Sequence, residues 1–316
     1  MVTIDDIRDA AKGLVGVTEP TPLVRIAALE ANVGYPVYLK LENKHATGAF
    51  KMRGAWTAIS RLPLERREAG VLTYSSGNHG QAVAFAAQRL GIRAVIVMPE
   101  TAPAAKVNGV KRWGGETVFA GTTSEHRYAR GVEIAESDGL TIIPPYEHRD
   151  IIAGQGTAGI EIVEQLPEVA HVAFPVGGGG LGAGVTTALA ALRPEAKVTG
   201  VEPDNSAAFG AALKAGHPVR LDRTESIADG LLPLCVGTIT FNHLRERADA
   251  VTVSDAAIAQ ATLWLRGEAG VMAEPSGAVT TAALRSGVLQ PKGPTVLIVS
   301  GGNTDEEVLE RLTTFL

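Results

Sequence analysis

The chain of 316 residues contains a single cysteine, Cys235. One thiol can form neither an internal disulfide nor a cysteine-based zinc cluster, which fits a reducing compartment and reads Cys235 as a small buried apolar residue. Runs of basic residues are also missing. Lys plus Arg total 29 against 34 Asp plus Glu, a mildly acidic balance that offers no surface for nucleic acid. No apolar run approaches the ~20 residues of a membrane-spanning helix. The N-terminus, MVTIDDIRDAAKG, is acidic and amphipathic, without the basic and then apolar regions of a signal peptide. These absences predict a soluble cytoplasmic protein with no nucleic-acid or membrane partner.

What is present is a large apolar fraction, 45%, enough for a substantial core and for two domains of ordinary size. Short β-branched runs alternate with longer helical patterns, which predicts an α/β fold with mainly parallel sheets. Strands are expected at 37–43, 69–76, 93–99, 171–176, 197–203 and 295–300, with further strands in ETVFAG and LTIIPPY. Helices are expected at 48–62, 77–91 and 255–268, and also in AAKVNGVKRWG, TSEHRYARGVEIAESDG, GQGTAGIEIVEQL, VTTALAAL and the stretch after AEPSGA. Residues 204–252 carry no regular pattern and are read as loops and short helices. No repeat, low-complexity segment or Pro/Gly-rich linker separates the parts.

One lysine stands out. TGAFKMRGA (47–55) sets Lys51 in an apolar, glycine-flanked strand-to-helix junction, where burying an ammonium is costly unless the charge is paired or lost. Three strands also end in unusual sequences: LTYSSGNHG, VAFPVGGGGLGAG and VLIVSGGN. In parallel α/β sheets ligands collect outside such carboxyl ends, and glycines before a helix let backbone N–H groups converge on an anion. VGGGGLGAG also satisfies a dinucleotide fingerprint through Gly177, Gly179 and Gly182, with Glu202 ~20 residues on, so a nicotinamide-dependent oxidoreductase is the alternative of another class. That alternative gives no use to Lys51 or to SGGN. One phosphate, one aromatic heterocycle and one lysine would serve all three loops, and pyridoxal phosphate has those requirements.

ENKHATGAFKMRGA, SSGNHGQA, VGGGGLGAG, ADGL, EPSGA and SGGN occur in the order seen in pyridoxal-phosphate enzymes of the tryptophan-synthase-β fold. From TPL (21–23) to SGGN (300–303) the chain resembles the serine/threonine dehydratase and serine racemase branch, with Ala49 where the usual pattern has Ser. The resemblance implies two α/β domains with mainly parallel twisted sheets and the cofactor in the cleft between them. Residues 1–50 and 146–316 would form the large cofactor-binding domain, and 51–145 the small domain with the substrate-carboxylate loop.

It further implies that Lys51 bonds the cofactor aldehyde through its amine and later acts as the base, with Phe50 beside the ring. Ser75, Ser76, Gly77, Asn78 and His79 would hold the substrate carboxylate at a helix N-terminus, with Asn78 also on the ring 3-oxygen and His79 equally readable as a structural histidine. Gly177, Gly178, Gly179, Gly180 and Leu181 would cradle the phosphate. Ser300 would meet the pyridine nitrogen, and Glu274 would lie near the ring or else cap the following helix. Glu202 matches a divalent-cation ligand of serine racemases, but Ala208 replaces the aspartate that completes that site, so no metal is expected and Glu202 is read as a solvated strand-end carboxylate.

The implied activity is a dehydratase, or ammonia-lyase, acting on threonine, serine or hydroxyaspartate; a racemase with Ser76 as second acid/base is the alternative on the same scaffold. Arg149 is considered as an anchor for a second substrate carboxylate and read instead as an exposed arginine. A homodimer is expected from the family. Only TDEEVLERLTTFL follows SGGN, so the regulatory domain of biosynthetic threonine dehydratases is not expected.

Overall fold

The structure is a computed structural model that describes residues 1–315 apart from Ser76 and Pro103; the side chain of Ser124 also lies outside the description. Among the described residues, ten strands form two sheets. Strands β1 (Leu23–Arg25), β2 (Val37–Leu41), β7 (His171–Pro175), β8 (Lys197–Pro203), β9 (Ala248–Val253) and β10 (Thr295–Val299) make a six-stranded sheet in the order β1-β2-β10-β7-β8-β9. Only β1 runs antiparallel to its neighbour. Strands β3 (Val71–Thr73), β4 (Ala94–Met98), β5 (Glu116–Phe119) and β6 (Thr141–Ile142) make a parallel four-stranded sheet in the order β5-β4-β3-β6.

Helices cover both faces of the central strands, so these strands read as unbroken apolar runs rather than alternating ones. All five residues of β10, Thr-Val-Leu-Ile-Val, are buried. Each such aliphatic side chain contributes roughly 1.5–3 kcal/mol by leaving water. Because β2, β7, β8 and β10 are parallel, their carboxyl ends lie along one edge, and the glycine-rich loops that follow β7 and β10 emerge together there.

The helix Lys51–Ser60 follows β2 and rests on the helix Arg149–Gln165. The two backbones nearly touch: a Cβ on Gly154 would lie 2.5 Å from the carbonyl oxygen of Arg53. On its other side the long helix meets the helix Gly180–Leu192, where a Cβ on Gly184 would lie 2.4 Å from Gly156 N. The helix that starts at Lys51 is therefore seated on the element that also packs against the glycine loop after β7.

Beneath Lys51 lies a group of paired buried charges. Arg53 is fully buried and donates to Glu42 through Nε (2.7 Å) and Nη2 (2.9 Å), and to Glu161 through Nη1 (2.6 Å) and Nη2 (2.8 Å). Lys40, equally buried, donates to Glu161 at 2.6 Å, and His45 lies 3.0 Å from Glu42. Burial pushes the Glu42 carboxyl up, but Arg53 and His45 beside it overrule this and hold it well below the usual range.

The regular elements follow the expected pattern, with informative differences. The helix expected at 48–62 begins at Lys51, so the lysine occupies its first turn. LTIIPPY pairs only through Thr141 and Ile142, the partners of Val71 and Leu72. Residues 204–252 hold the short helices expected there, at Ala208–Ala215 and Thr238–Leu244, and differ from expectation in strand β9 along β8. Among the described residues no helix is long and apolar enough to cross a membrane.

Candidate active site

The site is built where the loop after β10, the loop before Lys51 and the start of the helix Asn78–Leu90 meet. Ala49 forms an isolated bridge with Gly301, Phe50 N donates to Ser300 O at 3.0 Å, and Gly302 N donates to Gly48 O at 2.9 Å. These bonds fix the backbone that leads into Lys51. Asn303 joins a third segment: its Nδ2 donates to Thr47 O and to Asn78 Oδ1, each at 2.8 Å. Asn78 Nδ2 in turn donates to Glu274 Oε1 at 2.6 Å.

Lys51 Nζ donates to Pro145 O at 2.7 Å and lies 5.1 Å from the Phe50 ring centroid. Burial pushes its amine down to about 8. A helix N-terminus also disfavours a cation, so two physical causes favour the neutral, nucleophilic amine.

Glu274 is buried, and burial together with the neighbouring Asp229 pushes its carboxyl up to about 8. It stands at the N-cap position of the helix Pro275–Arg285 but makes no side-chain cap bond, because the carboxyl turns towards Asn78. Of the two expectations for Glu274, the cap role is therefore not realised. The Ser300 hydroxyl is 3% exposed, and its recorded contact is a long 3.5 Å approach to Ser276 O. A buried hydroxyl held so weakly is suited to a further acceptor.

The glycine loop after β7 needs its glycines. Gly179 has φ +90° and precedes the helix Gly180–Leu192, whose first amides have no carbonyl partners within the helix. A Cβ on Gly178 would lie 2.3 Å from the ring of Tyr146, and one on Gly177 would lie 3.1 Å from Gly230 O. Gly178 O accepts from Thr240 Oγ1 at 2.8 Å and from Gly237 N at 3.2 Å, which ties the loop to the following segment. Leu181 is buried in the core beside the loop. The second helix N-terminus, at Gly77 and Asn78, follows Ser75. Ser76 lies outside the described residues.

His79 is buried, its Nε2 is 3.0 Å from Ile143 O, and burial with nearby Lys51 pushes it down to about 3. The neutral ring donates to that carbonyl, which is the structural arrangement. Glu202 departs from its expected role. It is fully buried, and its two oxygens accept from Phe209 N (2.7 Å) and Gly210 N (2.8 Å) at the start of the helix Ala208–Ala215. It is a helix-capping carboxylate and not a solvated one, because the amides at that helix start have no other partner. Cys235 is half-buried rather than buried, with Sγ donating to Val236 O. Arg149 is exposed at the start of its helix and lies 3.5 Å from Asp6.

The nicotinamide alternative fails at the same residues. Gly182 serves packing, since a Cβ there would lie 2.4 Å from the Phe174 ring, and Glu202 has spent both oxygens on its cap. A family model described as pyridoxal-phosphate dependent enzyme matches residues 15–301. The chain belongs to that family. Members of the pyridoxal-phosphate family similar to it include L-threonine ammonia-lyase of Thermotoga maritima, 40% identical over 314 residues that cover 99% of this chain and 78% of that one. L-threo-3-hydroxyaspartate ammonia-lyase of a Pseudomonas species is 40% identical over 304 residues, 96% of this chain and 95% of that one. The solved structure of maize serine racemase superposes with a TM-score of 0.94 at 35% identity, covering 99% of this chain and 97% of that one. The fold is the tryptophan-synthase-β-like one, and the protein is a pyridoxal-phosphate-dependent enzyme.

The residues present fit the cofactor. The loop at 177–180 has no room for side chains, Lys51 has a desolvated amine, and Ser300 has an underused hydroxyl. Sequence reasoning did not assign Asn303, Tyr146 or the Pro145 carbonyl. Asn303 was visible as the last residue of SGGN. The other two act across long sequence separations that no local pattern records.

Proposed function

We propose that the protein is an ammonia-lyase that removes water and then ammonia from a small β-hydroxy amino acid, leaving a 2-oxo acid. The observation that carries this reading is the Lys51 amine, buried, at the head of its helix and pushed down to about 8. Such an amine takes up and returns a proton near neutral pH. When bound, pyridoxal phosphate supplies an electrophilic carbon and an electron sink for cleavage at the substrate Cα.

The chain's own groups do the rest. Amides at 177–181 and the positive end of their helix hold the phosphate. Amides and hydroxyls from Ser75 to Asn78 hold the substrate carboxylate at the second helix N-terminus. Phe50 flanks the ring. Lys51 would take the Cα proton as the C–O bond breaks, and would return that proton to the departing β-hydroxyl, which leaves as water. Ser300 would offer the ring nitrogen a hydroxyl, which does not force a proton onto it, so the cofactor would supply a weak electron sink suited to elimination, in which the Cα–H electron pair departs with the hydroxyl. Glu274, protonated near neutrality, holds Asn78 in place for the ring oxygen. In this reading residues 51–145 form a small domain that carries the carboxylate loop, and 1–50 with 146–316 form the large one.

The relatives support elimination, since both ammonia-lyases align over nearly all of this chain. Racemisation is the second reading, favoured by the close superposition on maize serine racemase. Ammonia release measured across stereoisomers of serine, threonine and 3-hydroxyaspartate, with chiral chromatography after L-serine, separates the two. The ammonia-lyase reading expects a 2-oxo acid and ammonia. D-serine without an oxo acid would overturn it.

A further inference from the structure

The glycines of the loop at 177–180 do not all answer to the same neighbour. Gly179 has φ +90°, and a Cβ on Gly177 would lie 3.1 Å from Gly230 O. Gly178 and Gly180 have no positive φ, so their backbone would accept a side chain. What excludes one is Tyr146. The three atoms nearest to a Cβ on Gly178 all belong to its ring, at 2.3–2.4 Å, and those nearest to a Cβ on Gly180 are Tyr146 Cβ and Cα, at 3.0 and 3.2 Å. Tyr146 also follows the residue that receives the lysine, since Pro145 O accepts from Lys51 Nζ at 2.7 Å. Two consecutive residues therefore touch both anchors of the cofactor, the amine for its aldehyde and the loop for its phosphate. Their segment is held at either end. Ile143 N donates to Leu72 O at 2.8 Å, and Ile143 O accepts from His79 Nε2 at 3.0 Å. Beyond the tyrosine, His148 N donates to Tyr146 O at 2.9 Å and Glu147 Oε1 accepts from Ile239 N at 2.8 Å. Burial pushes the Tyr146 phenol up to about 12, so a neutral ring lies beside a loop that takes an anion.

We propose that Tyr146 is a positioning residue for the cofactor: its side chain, laid on Gly178 and Gly180, supports the phosphate loop, and through Pro145 it fixes the span between that loop and the Lys51 amine. The proposal rests on the reading that the loop at 177–181 holds the phosphate. Gly178 is then a glycine to admit the tyrosine ring, not to admit the phosphate. A methyl group at 178 would force the ring or the loop aside, and a displaced loop turns its amides off the anion they converge on. Loss of the ring would leave the same loop without its support. The two changes act on one contact, so their costs overlap rather than add. Ring carbons make that contact, so the hydroxyl is not required for it.

Equilibrium dialysis of the holoenzyme and its variants against graded pyridoxal phosphate, read by visible absorbance, tests this through the cofactor Kd. Tyr146→Ala and Gly178→Ala should each raise Kd about tenfold, the size of a modest packing strain. Tyr146→Phe should stay within about twofold of the starting protein. The Tyr146→Ala, Gly178→Ala double variant should bind no more weakly than Tyr146→Ala alone. Additive costs, on the order of a hundredfold in the double variant, would overturn the proposal. So would unchanged affinity in both single variants, or a Tyr146→Phe variant as weak as Tyr146→Ala. If Gly178→Ala fails to fold, adding Tyr146→Ala must restore folding, or the proposal falls. The same titrations with pyridoxal, which lacks the phosphate, keep two failures apart. Equal affinity of the starting protein for both ligands would remove the phosphate role of the loop and the proposal with it. A strong preference for the phosphate-bearing ligand with additive costs would leave that role standing and remove only the role of Tyr146.

Discussion

Lys51 and Arg53 are two residues apart on one helix, yet their surroundings treat charge in opposite ways. Arg53 points into a closed set of partners, and Glu42 and Glu161 leave its guanidinium more firmly protonated than usual. Lys51 meets a carbonyl and an aromatic ring, and burial at the head of its helix pushes its proton affinity down. Glu274 repeats the second case: burial keeps a proton on a carboxyl that would be ionised in water. Where buried charges are matched, the structure is fixed; where they are left unmatched, the groups become reactive near neutral pH.

Each side of that contrast can be broken separately. Lys51→Ala removes the unmatched amine and is expected to cost activity on the order of a thousandfold, together with the visible absorbance of the bound cofactor. Turnover assays and absorption spectra check both, and a variant that retains them contradicts the role given to Lys51. Arg53→Met strands two buried carboxylates and is expected to cost about 3–5 kcal/mol of stability, read from denaturant unfolding.

A pH series sharpens the comparison. Since only the free amine attacks an aldehyde, cofactor reattachment to the apoprotein should quicken about tenfold from pH 7 to 9, with half of the limiting rate reached at about 8. Lack of pH dependence would place the amine's proton affinity elsewhere. The smallest effect concerns Glu274. The folded chain holds this proton up to about 8, whereas the unfolded chain releases it near 4.5. Over that window the unfolded state binds fewer protons, so stability falls as pH rises. Glu274→Gln should remove this slope, and melting temperatures of the two proteins should converge below about pH 4.5 and diverge towards pH 8.

Much of this site was readable in the sequence. Lys51 betrayed itself by its glycine frame, and the polar endings of β3, β7 and β10 marked one rim of the sheets. What escaped were contacts with no local cause. Tyr146 meets Gly178, and Asn303 meets Asn78, only after the chain has folded. Glu202 escaped because the helix it caps starts at Ala208, and an alanine there announces no cap. β9 escaped because ADAVTV lies at the sheet edge, where its middle residues stay partly exposed and its apolar pattern is weak.

The amide of Asn303 ties the segment before Lys51 to the helix that begins at Asn78, which puts a stitch between the two sheets at the cofactor end of the cleft. Without that one amide, the Thr47 carbonyl and the Asn78 side-chain oxygen would lose the donor they share.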